Sequence, residues 1–404
     1  MNLRPPQSID ERSFQRERND SFHLSHQPRD ELMKPTPSSA SDYSLVVCEE
    51  EPTLAIGYGN LRQEYPPELM RFERRISRPD DVTIQIDYCG VCHSDWHVIR
   101  NEWKNTKYPI IVGHEIIGHV ICVGSRVTKY MVGDCVAVGP NVDSCGQCLS
   151  CSKGQEQYCQ NDVTEAYNMM ERLPGEIKPT GPVSQGGFSN IILVKEDFVL
   201  RLPQTGIYYP HIAPILCAGI TMYTPLKRAN LQTLSRVGIA GLGGLGHLGI
   251  KLAKSMGYEV VVLTTTKDKI EDGLDLGAHE VIFVHDLTKL DAYKKTFDLI
   301  ISTIPFNHDI NMYLELLKPE SLMWVVGSMY PMTVDFEIVN RRGLIVRGSS
   351  TGGISDTQEC IDYCVRNKIY ADIVLIDIHD LHKTHQNITN RSIRYRYVVD
   401  MTDK

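Results

Sequence analysis

RVGIAGLGGLGHLGIKLAKSMGYEVVVLTTT, residues 236–266, is the stretch that decides the fold of this chain. It begins as an apolar strand, turns at Gly241, Gly243 and Gly246, continues with helical spacing of its apolar residues and ends as a second apolar strand. A G-x-G-x-x-G turn between a strand and a helix is typical of dinucleotide binding, because glycines let the pyrophosphate approach the free N–H groups at the helix start. The alternative interpretation is an ordinary tight turn between a strand and a helix.

The sequence that follows repeats this alternation of strand and helix. Apolar runs at 280–284, 297–304 and 322–328 indicate further buried strands. DKIEDGLDLGA (268–278) and DINMYLELLK (309–318) have the composition of connecting helices. Strands that alternate with helices form a parallel sheet with helices on both faces, so we predict a doubly wound α/β domain.

The preceding part of the chain consists of short β-rich segments separated by Gly, Pro and Asn. In DVTIQIDYCGVC, Val82, Ile84 and Ile86 alternate with polar residues, which indicates a half-buried strand in a mostly-β, barrel-like domain. RYRYVVD (394–400) predicts a strand that returns to this domain. The predicted organisation is a polar, disordered extension at 1–42, a β domain at 43–210, a nucleotide-binding domain at 211–346 and a return to the β domain at 347–404.

Composition excludes several classes of function. The 404 residues are 42% hydrophobic and carry a formal net charge of −8, which does not suit a nucleic-acid binder or a protein held at an anionic membrane. No apolar run approaches the roughly 18 residues of a membrane helix. MNLRPPQSIDERSFQRERND (1–20) lacks the apolar core of a signal peptide; a mitochondrial import segment is an alternative, which the Asp and Glu residues scattered among its arginines disfavour. The twelve cysteines therefore favour reduced, metal-binding thiols in the cytoplasm over a secreted disulfide framework.

The end of the second strand bears on the choice of cofactor. NAD-binding turns usually carry an acidic residue here, which holds the ribose 2′-hydroxyl. In this chain residues 264–266 are threonines, Lys267 and Lys269 follow, and the first carboxylate is that of Asp268. Hydroxyl and ammonium groups can donate hydrogen bonds to a 2′-phosphate, so the segment favours NADP(H). The alternative is that the threonines finish a strand and the lysines are solvated.

Four cysteines within fifteen residues form a C-x2-C-x2-C-x7-C motif: Cys145, Cys148, Cys151 and Cys159. This spacing allows one short lobe to surround a single ion with four thiolates. Soft sulfur ligands with no open position are the pattern of a structural zinc site. We therefore expect this lobe to hold zinc without binding substrate.

A second set of candidate ligands remains once the lobe is accounted for. A catalytic zinc site needs three protein ligands and one open position. Cys92 in CGVCHSDWH, His114 in GHE and the distant Cys217 could supply the three ligands, and Glu115 could fill the fourth position at rest. Spacing alone leaves Cys89 as an alternative to Cys92, and leaves Cys217 as an ordinary buried thiol.

Together these motifs resemble the zinc-dependent medium-chain alcohol dehydrogenases, and above all their cinnamyl alcohol dehydrogenase branch. The resemblance runs from about residue 43 to the C-terminus and includes CGVCHSDWH, VGHEIIGHV, the four-cysteine lobe, QGGFSN, CAGITMYTPL, GIAGLGGLGH, GSSTGG with SDTQE, and RYRYVVD. It implies a GroES-like catalytic domain, a Rossmann nucleotide-binding domain, two zinc ions per chain and NADP(H). It also implies a homodimer whose nucleotide-domain sheets join edge to edge near SLMWVVG (321–327).

The resemblance implies that Cys92, His114 and Cys217 hold the catalytic zinc, that Glu115 coordinates it in the resting form and that Cys89 has a packing role. Two thiolates, one imidazole and an open position are the established catalytic zinc set of alcohol dehydrogenases.

Further roles follow from the same resemblance. Ser94 and His97 match a proton relay, and Asp95 matches a carboxylate that steadies the zinc site; the alternative for Ser94 and His97 is that they are ordinary polar loop residues. The implied cofactor-binding residues are Gly241, Gly243, Gly244, Gly246, Thr264, Thr265, Lys269, Thr221, Thr303, Gly327 and Ser349. Three other histidines are expected to be structural or solvated: His93, His119 and His247.

The implied reaction is hydride transfer between NADP(H) and a primary alcohol or aldehyde at the catalytic zinc, with a proton passing through Ser94 and His97. NAD-dependent polyol or formaldehyde dehydrogenases of the same superfamily are alternatives, but they more often carry an acidic residue after the second strand. A non-catalytic zinc-binding relative would have lost a ligand, and none is missing. A zinc-ribbon nucleic-acid binder would have a basic lobe, whereas CGQCLSCSKGQEQYC has one Lys and one Glu.

Overall fold

The computed structural model describes residues 52–63, 66–203, 208–327, 330–389 and 393–402. The predicted disordered extension at 1–42 lies outside the described residues. Within these ranges no helix combines the length and the apolarity needed to cross a lipid bilayer.

The strands of the described residues are numbered along the chain. They are β1 (Leu54–Gly59), β2 (Glu68–Glu73), β3 (Asp81–Val91), β4 (Glu115–Val123), β5 (Cys135–Val138), β6 (Asn141–Asp143), β7 (Thr164–Glu165), β8 (Ile191–Lys195), β9 (Leu200–Arg201), β10 (Arg236–Ala240), β11 (Glu259–Thr264), β12 (Glu280–Phe283), β13 (Phe297–Ser302), β14 (Leu317–Val325), β15 (Ile345–Gly348), β16 (Ile373–Asp377) and β17 (Arg396–Asp400).

The α-helices are numbered in the same way. They are α1 (His93–Ile99), α2 (Leu149–Ser152), α3 (Ala218–Arg228), α4 (Gly244–Ser255), α5 (Ile270–Asp275), α6 (Leu287–Asp291), α7 (Asn311–Leu314), α8 (Phe336–Arg342), α9 (Ile354–Arg366) and α10 (Leu381–Thr389).

Six strands form a parallel sheet in the order β12-β11-β10-β13-β14-β15. This is the strand order of a Rossmann sheet. From β10 the next two strands are added on one side of the sheet, and from β13 the next two are added on the other side. The interior strands have buried apolar centres because helices cover both faces of the sheet; Val260 and Val262 of β11 are completely buried, for example. The predicted doubly wound α/β fold is confirmed.

Two details of this sheet differ from the sequence-based expectation. The helix predicted over DINMYLELLK is a single turn, α7, because Leu317 and Lys318 already belong to β14. The expectation of a sheet edge near SLMWVVG is wrong: β14 pairs with β13 on one side and with β15 on the other. The edge of the sheet on this side is β15, which the apolar pattern did not indicate because its four residues are exposed.

The second large sheet has seven strands, mostly antiparallel, in the order β16-β17-β3-β4-β5-β9, with β8 also paired to β3. It corresponds to the predicted mostly-β, GroES-like domain. β3 is its longest strand and ends at Val91, one residue before Cys92. β17 pairs with that end of β3, so that Tyr397 lies opposite Val91. The register of β17 therefore delivers Arg396 to the end of β3 where Cys92 lies.

A shared hydrophobic core joins the two sheets. One cluster of buried side chains contains Ile117 and Leu200 from the mostly antiparallel sheet together with Val237 and Ile239 from the parallel sheet. Helix α3 contributes side chains to the same cluster, in which Ile220 is completely buried. This packing fixes the end of β3 relative to the carboxyl end of β10.

Candidate active site

A cavity with a volume of about 660 Å³ opens at the carboxyl ends of β10 and β13. This is the position at which a reversal of strand order leaves a crevice for ligands. Its walls include the glycine turn, the threonines after β11, Cys92 and Cys217. The cavity therefore combines the predicted nucleotide site with part of the second candidate metal set.

The glycine turn has the geometry that close approach of a ligand requires. Gly241 has φ +99°, which is strained for any residue with a side chain. A Cβ at Gly246 would lie 2.1 Å from the carbonyl oxygen of Gly241, so this position also excludes a side chain. Gly243 is the N-cap of α4 and lines the cavity together with Gly244 and Leu245, so the free N–H groups of the first helical turn lie at the cavity wall. Such a helix start attracts the negative charge of a pyrophosphate.

The other predicted cofactor residues lie along the same cavity. Thr264 and Thr265 line it beside Lys269, whose Nζ donates a 2.5 Å hydrogen bond to the carbonyl oxygen of Leu242 in the glycine turn. The cavity wall also includes the remaining positions of the predicted set: Gly241, Gly243, Gly244, Thr221, Thr303, Gly327 and Ser349. Gly246 faces the turn itself and does not line the cavity.

Three separate segments bring the second metal set together. Cys92 is the N-cap of α1 directly after β3, His114 and Glu115 lie at the start of β4, and Cys217 is the N-cap of α3. One donor atom from each of the four lies within 4.8 Å of the others, and all four residues are buried. The sulfur atoms of Cys92 and Cys217 are 3.7 Å apart, close to the separation of about 3.8 Å expected for two thiolates on one tetrahedral zinc ion.

Asp95 and Tyr167 orient the imidazole of His114. The Nδ1 atom of His114 lies 3.1 Å from Asp95 Oδ1 and 3.0 Å from the Tyr167 hydroxyl, which leaves Nε2 for an ion. Asp95 is itself held by backbone N–H groups, accepting from Cys92 at 2.7 Å and from Gly113 at 3.1 Å. This arrangement suits the expectation that Asp95 steadies the site.

Glu115 has two different carboxylate environments. Its Oε1 pairs with the guanidinium of Arg396, whereas its Oε2 is buried without a hydrogen-bond partner in the described structure. A Cβ at Gly90 would lie 2.0 Å from Oε2, so the glycine in CGVC makes room for this carboxylate. A buried oxygen without a partner, beside two thiols and an imidazole, is the donor set that a bound zinc ion would satisfy.

The pKa values of the cluster reflect its crowding and its burial. Burial raises the pKa of Glu115 to about 7, against the opposing charge of Arg396. A hydrogen bond from Cys217 lowers the pKa of Cys92 well below its usual value, although burial opposes this shift. Burial lowers the pKa of Arg396, but the Glu115 carboxylate and the Cys92 thiolate raise it overall. The cluster therefore favours thiolate at Cys92, the form that binds metal.

Ser94 and His97 lie on α1 and line the cavity beside Cys92. Ser94 Oγ is 3.6 Å from Cys92 Sγ, and His97 Nδ1 lies 2.5 Å from Glu102 Oε2. His93, which we expected to be structural or solvated, also lines the cavity; its ring stacks on that of His97 at 4.4 Å.

Two other thiol-related expectations concern Cys89 and the four-cysteine lobe. Cys89 is buried and is absent from the converging donor set; its sulfur packs against Gly113 and Gly187, where an added Cβ would approach it to 2.9 Å. The lobe thiols of Cys145, Cys148, Cys151 and Cys159 lie within 4.8 Å of one another.

The lobe sulfurs also have the separations and hydrogen bonds of a thiolate site. Cys151 Sγ lies 3.5 Å from Cys148 Sγ and 4.0 Å from Cys145 Sγ. Asn161 Nδ2 donates to Cys145 Sγ at 3.4 Å, and the backbone N–H of Gln160 donates to Cys148 Sγ at 3.3 Å. Burial raises the pKa of Cys145, but hydrogen bonds from Asn161 and from neighbouring backbone N–H groups lower it overall to about 6. The residues fit a closed tetrahedral zinc site.

Sequence reasoning missed three residues of the second site. Arg396 lies in RYRYVVD, and the only signal for it was that buried anionic ligands require a nearby cation. Glu102 follows α1 and reaches His97 from five residues further along the chain. Tyr167 lies 53 residues from His114, and no local pattern connects the two.

Comparison with known proteins adds independent information. Residues 78–204 match the family model described as alcohol dehydrogenase GroES-like domain, and residues 244–366 match the model described as zinc-binding dehydrogenase. A probable zinc-type alcohol dehydrogenase-like protein, L498 of Acanthamoeba polyphaga mimivirus, is 40% identical over 92% of this chain and 89% of its own length.

Two further proteins are similar over most of the chain. The aldehyde reductase YahK of Escherichia coli is 41% identical over 86% of this chain and 97% of its own length. The crystal structure of a cinnamyl alcohol dehydrogenase from Helicobacter pylori, complexed with NADP(H), is 35% identical over 88% of this chain and 100% of its own, with a TM-score of 0.81.

Proposed function

The chain belongs to the family of zinc-dependent medium-chain alcohol dehydrogenases, and on this premise we propose that it interconverts a primary alcohol and its aldehyde with NADP(H). The observation that carries the proposal is the convergence of Cys92, His114, Glu115 and Cys217 beside the cavity of the Gly241 turn. An aldehyde reductase and an NADP(H)-bound cinnamyl alcohol dehydrogenase among the similar proteins support it.

We propose that the glycine turn and the start of α4 bind the pyrophosphate of the dinucleotide. The hydroxyls of Thr264 and Thr265 would donate hydrogen bonds to the 2′-phosphate, with the positive charge of Lys269 beside them. The nicotinamide half of the dinucleotide would lie along Thr221, Thr303, Gly327 and Ser349. The dinucleotide, when bound, supplies or accepts the hydride.

We propose that Cys92, His114 and Cys217 hold the catalytic zinc and that Glu115 occupies a fourth position at rest. The ion, when bound, supplies Lewis acidity to the substrate oxygen. Arg396 holds one carboxylate oxygen of Glu115 and so keeps the side chain beside this position. Asp95 and Tyr167 hold the opposite side of the His114 ring and fix its orientation.

Ser94 and His97 carry the proton between the substrate oxygen and solvent in this proposal. Ser94 lies beside Cys92, where its hydroxyl can reach a substrate oxygen in the cavity. Glu102 accepts from Nδ1 of His97 and stabilises the imidazolium that forms when His97 takes up a proton. The stacked ring of His93 limits the rotation of His97.

The test is a panel of aldehydes and alcohols with NADPH and NADH, run on the full chain and on Cys92→Ser. We expect turnover with NADPH above that with NADH, and a loss of at least about 100-fold on removing a zinc ligand. Cys89→Ser is the matched control, since this neighbouring buried cysteine lies outside the donor set, and it should remain active. Two zinc ions per chain are expected by metal analysis, and one in Cys92→Ser. Activity that survives Cys92→Ser, or turnover with neither nucleotide, contradicts the proposal.

We also propose that the protein is a cytoplasmic homodimer in which β15 pairs with β15 of a second copy. Ile345 and Val346 of this strand are 52% and 38% exposed, and Phe336 of the adjoining α8 is 65% exposed. An exposed apolar edge strand is suited to pairing with another chain. Ten of the eleven cysteines in the described residues are free thiols, and this predominance supports a reducing compartment; Cys122 is disulfide-bonded and departs from the expectation that the cysteines are reduced.

A further inference from the structure

The four-cysteine lobe (residues 145–159) contacts the loop at residues 349–353, which follows β15 in the parallel sheet. Glu156 Oε2 accepts a 3.0 Å hydrogen bond from the backbone N–H of Ile354, the first residue of α9. The Tyr158 hydroxyl accepts a 3.1 Å bond from the backbone N–H of Ser350. The partners are separated by 198 and 192 residues along the chain.

Glu156 performs a capping function that the sequence of α9 does not provide. The N-cap of α9 is Gly353, which has no side chain to accept from the first N–H groups. The carboxylate of Glu156 supplies both an acceptor and a negative charge at this positive helix end. The backbones are also in close contact, since a Cβ at Gly353 would lie 1.9 Å from the carbonyl oxygen of Gly154.

The opposite side of the loop is anchored in the core of the nucleotide-binding region. Trp324 Nε1 donates to Ser349 Oγ at 2.9 Å, and Thr224 Oγ1 donates to the carbonyl oxygen of Thr351 at 2.9 Å. Trp324 and Thr224 are both 1% exposed. Ser349, Ser350 and Thr351 line the cavity. The loop is therefore held between a buried anchor on one side and the lobe on the other.

We propose that Glu156 and Tyr158 are positioning residues for the dinucleotide: the thiolate lobe holds the loop at 349–353 in its ligand-binding conformation. This inference rests on the proposed function, because it assigns NADP(H) to the cavity. Glu156 lies between Cys151 and Cys159 in sequence, so an ion held by these thiolates fixes the carboxylate that caps α9. The lobe thereby acts on cofactor affinity as well as on stability.

The test measures equilibrium binding of NADPH by fluorescence in the full-length, zinc-loaded protein, with zinc content determined on the same samples. Glu156→Ala removes the cap, and we expect the dissociation constant of NADPH to rise about fivefold with two zinc ions retained. Glu156→Gln keeps an oxygen acceptor and should restore most of the affinity. Lys153→Ala is the matched control, because Lys153 is an exposed residue of the same lobe that lies outside the contact.

An unchanged dissociation constant in Glu156→Ala overturns the proposal, even if that variant is less stable, because the lobe would then act on stability alone. Equal weakening in Lys153→Ala overturns it as well. If Glu156→Ala does not fold, Tyr158→Phe decides: we expect about a twofold rise, since loss of a neutral hydrogen bond at a partly exposed site is small, and no rise overturns the proposal. Absence of NADPH binding by the unaltered protein would instead contradict the proposed function.

Discussion

The guanidinium of Arg396 and the carboxylate of Glu115 form an ion pair whose side chains are 5% and 0% exposed. Taking either charge out of water is costly, and the charge of the partner offsets part of this cost. The pair is therefore a structural requirement of the site as well as a part of its chemistry. Removing one member and removing both should have different consequences.

We expect Arg396→Met to lower the free energy of unfolding by about 3–5 kcal/mol, because it leaves the Glu115 carboxylate buried without its guanidinium partner. The double variant Arg396→Met, Glu115→Gln removes both charges, and its free energy of unfolding should fall by less than that of Arg396→Met alone. Urea denaturation monitored by circular dichroism measures both. A double variant that is destabilised by the sum of the two single changes would contradict the coupling.

His247 is a second buried residue whose charge state matters. It is completely buried on α4, its ring stacks on Tyr395 at 4.9 Å, and burial lowers its pKa to about 3. In the unfolded chain the pKa of a histidine is about 6.5. Between these values the unfolded state binds a proton and the folded state does not, so stability falls as the pH falls.

We expect His247 to reduce the free energy of unfolding by about 2 kcal/mol when the pH is lowered from 7 to 5. In His247→Gln this part of the pH dependence should disappear, which denaturation curves at the two pH values will measure. His119 is the matched control: Asp87 raises its pKa, so its contribution is present at low pH and is lost as the pH rises. His119→Gln should therefore steepen the loss of stability at low pH, and an equal slope in all three proteins would contradict the assignment.

At the scale of elements, β15 is the most exposed member of the parallel sheet. All four of its residues are exposed, and within the described part of the chain it pairs with β14 alone. Two of these residues, Ile345 and Val346, are apolar β-branched side chains. An edge of this composition is either covered by a partner or prone to aggregation.

We expect the protein to have twice the chain mass of 45.7 kDa in solution and Ile345→Asp to shift it to the monomer, because two charges would face each other across the symmetric edge. Light scattering after size-exclusion chromatography measures the mass. Leu234→Asp, at an apolar position that is 77% exposed on another surface, should leave the dimer intact. A monomeric unaltered protein, or a dimeric Ile345→Asp variant, would contradict the β15 interface.

At the scale of the whole molecule, sequence patterns predicted the features whose residues lie close together along the chain. The glycine turn, five of the six strands of the parallel sheet and the four-cysteine lobe each depend on neighbours in sequence, and each was predictable. The partners Arg396, Tyr167 and Glu102 were not, because their roles depend on which segments the fold brings together. The edge strand β15 was also missed, since an exposed four-residue strand has no apolar periodicity to reveal it.

The position of β17 between β16 and β3 has a consequence for the order in which the molecule is completed during synthesis. The lobe closes over fifteen residues, whereas Glu115 meets Arg396 only after 281 further residues have been made. Closing a long loop costs more entropy than closing a short one. The contact between Glu115 and Arg396 also cannot form before Arg396 has been synthesised. The nascent chain can therefore fold its four-cysteine lobe early, while Glu115 acquires its guanidinium partner only after β17 has been made.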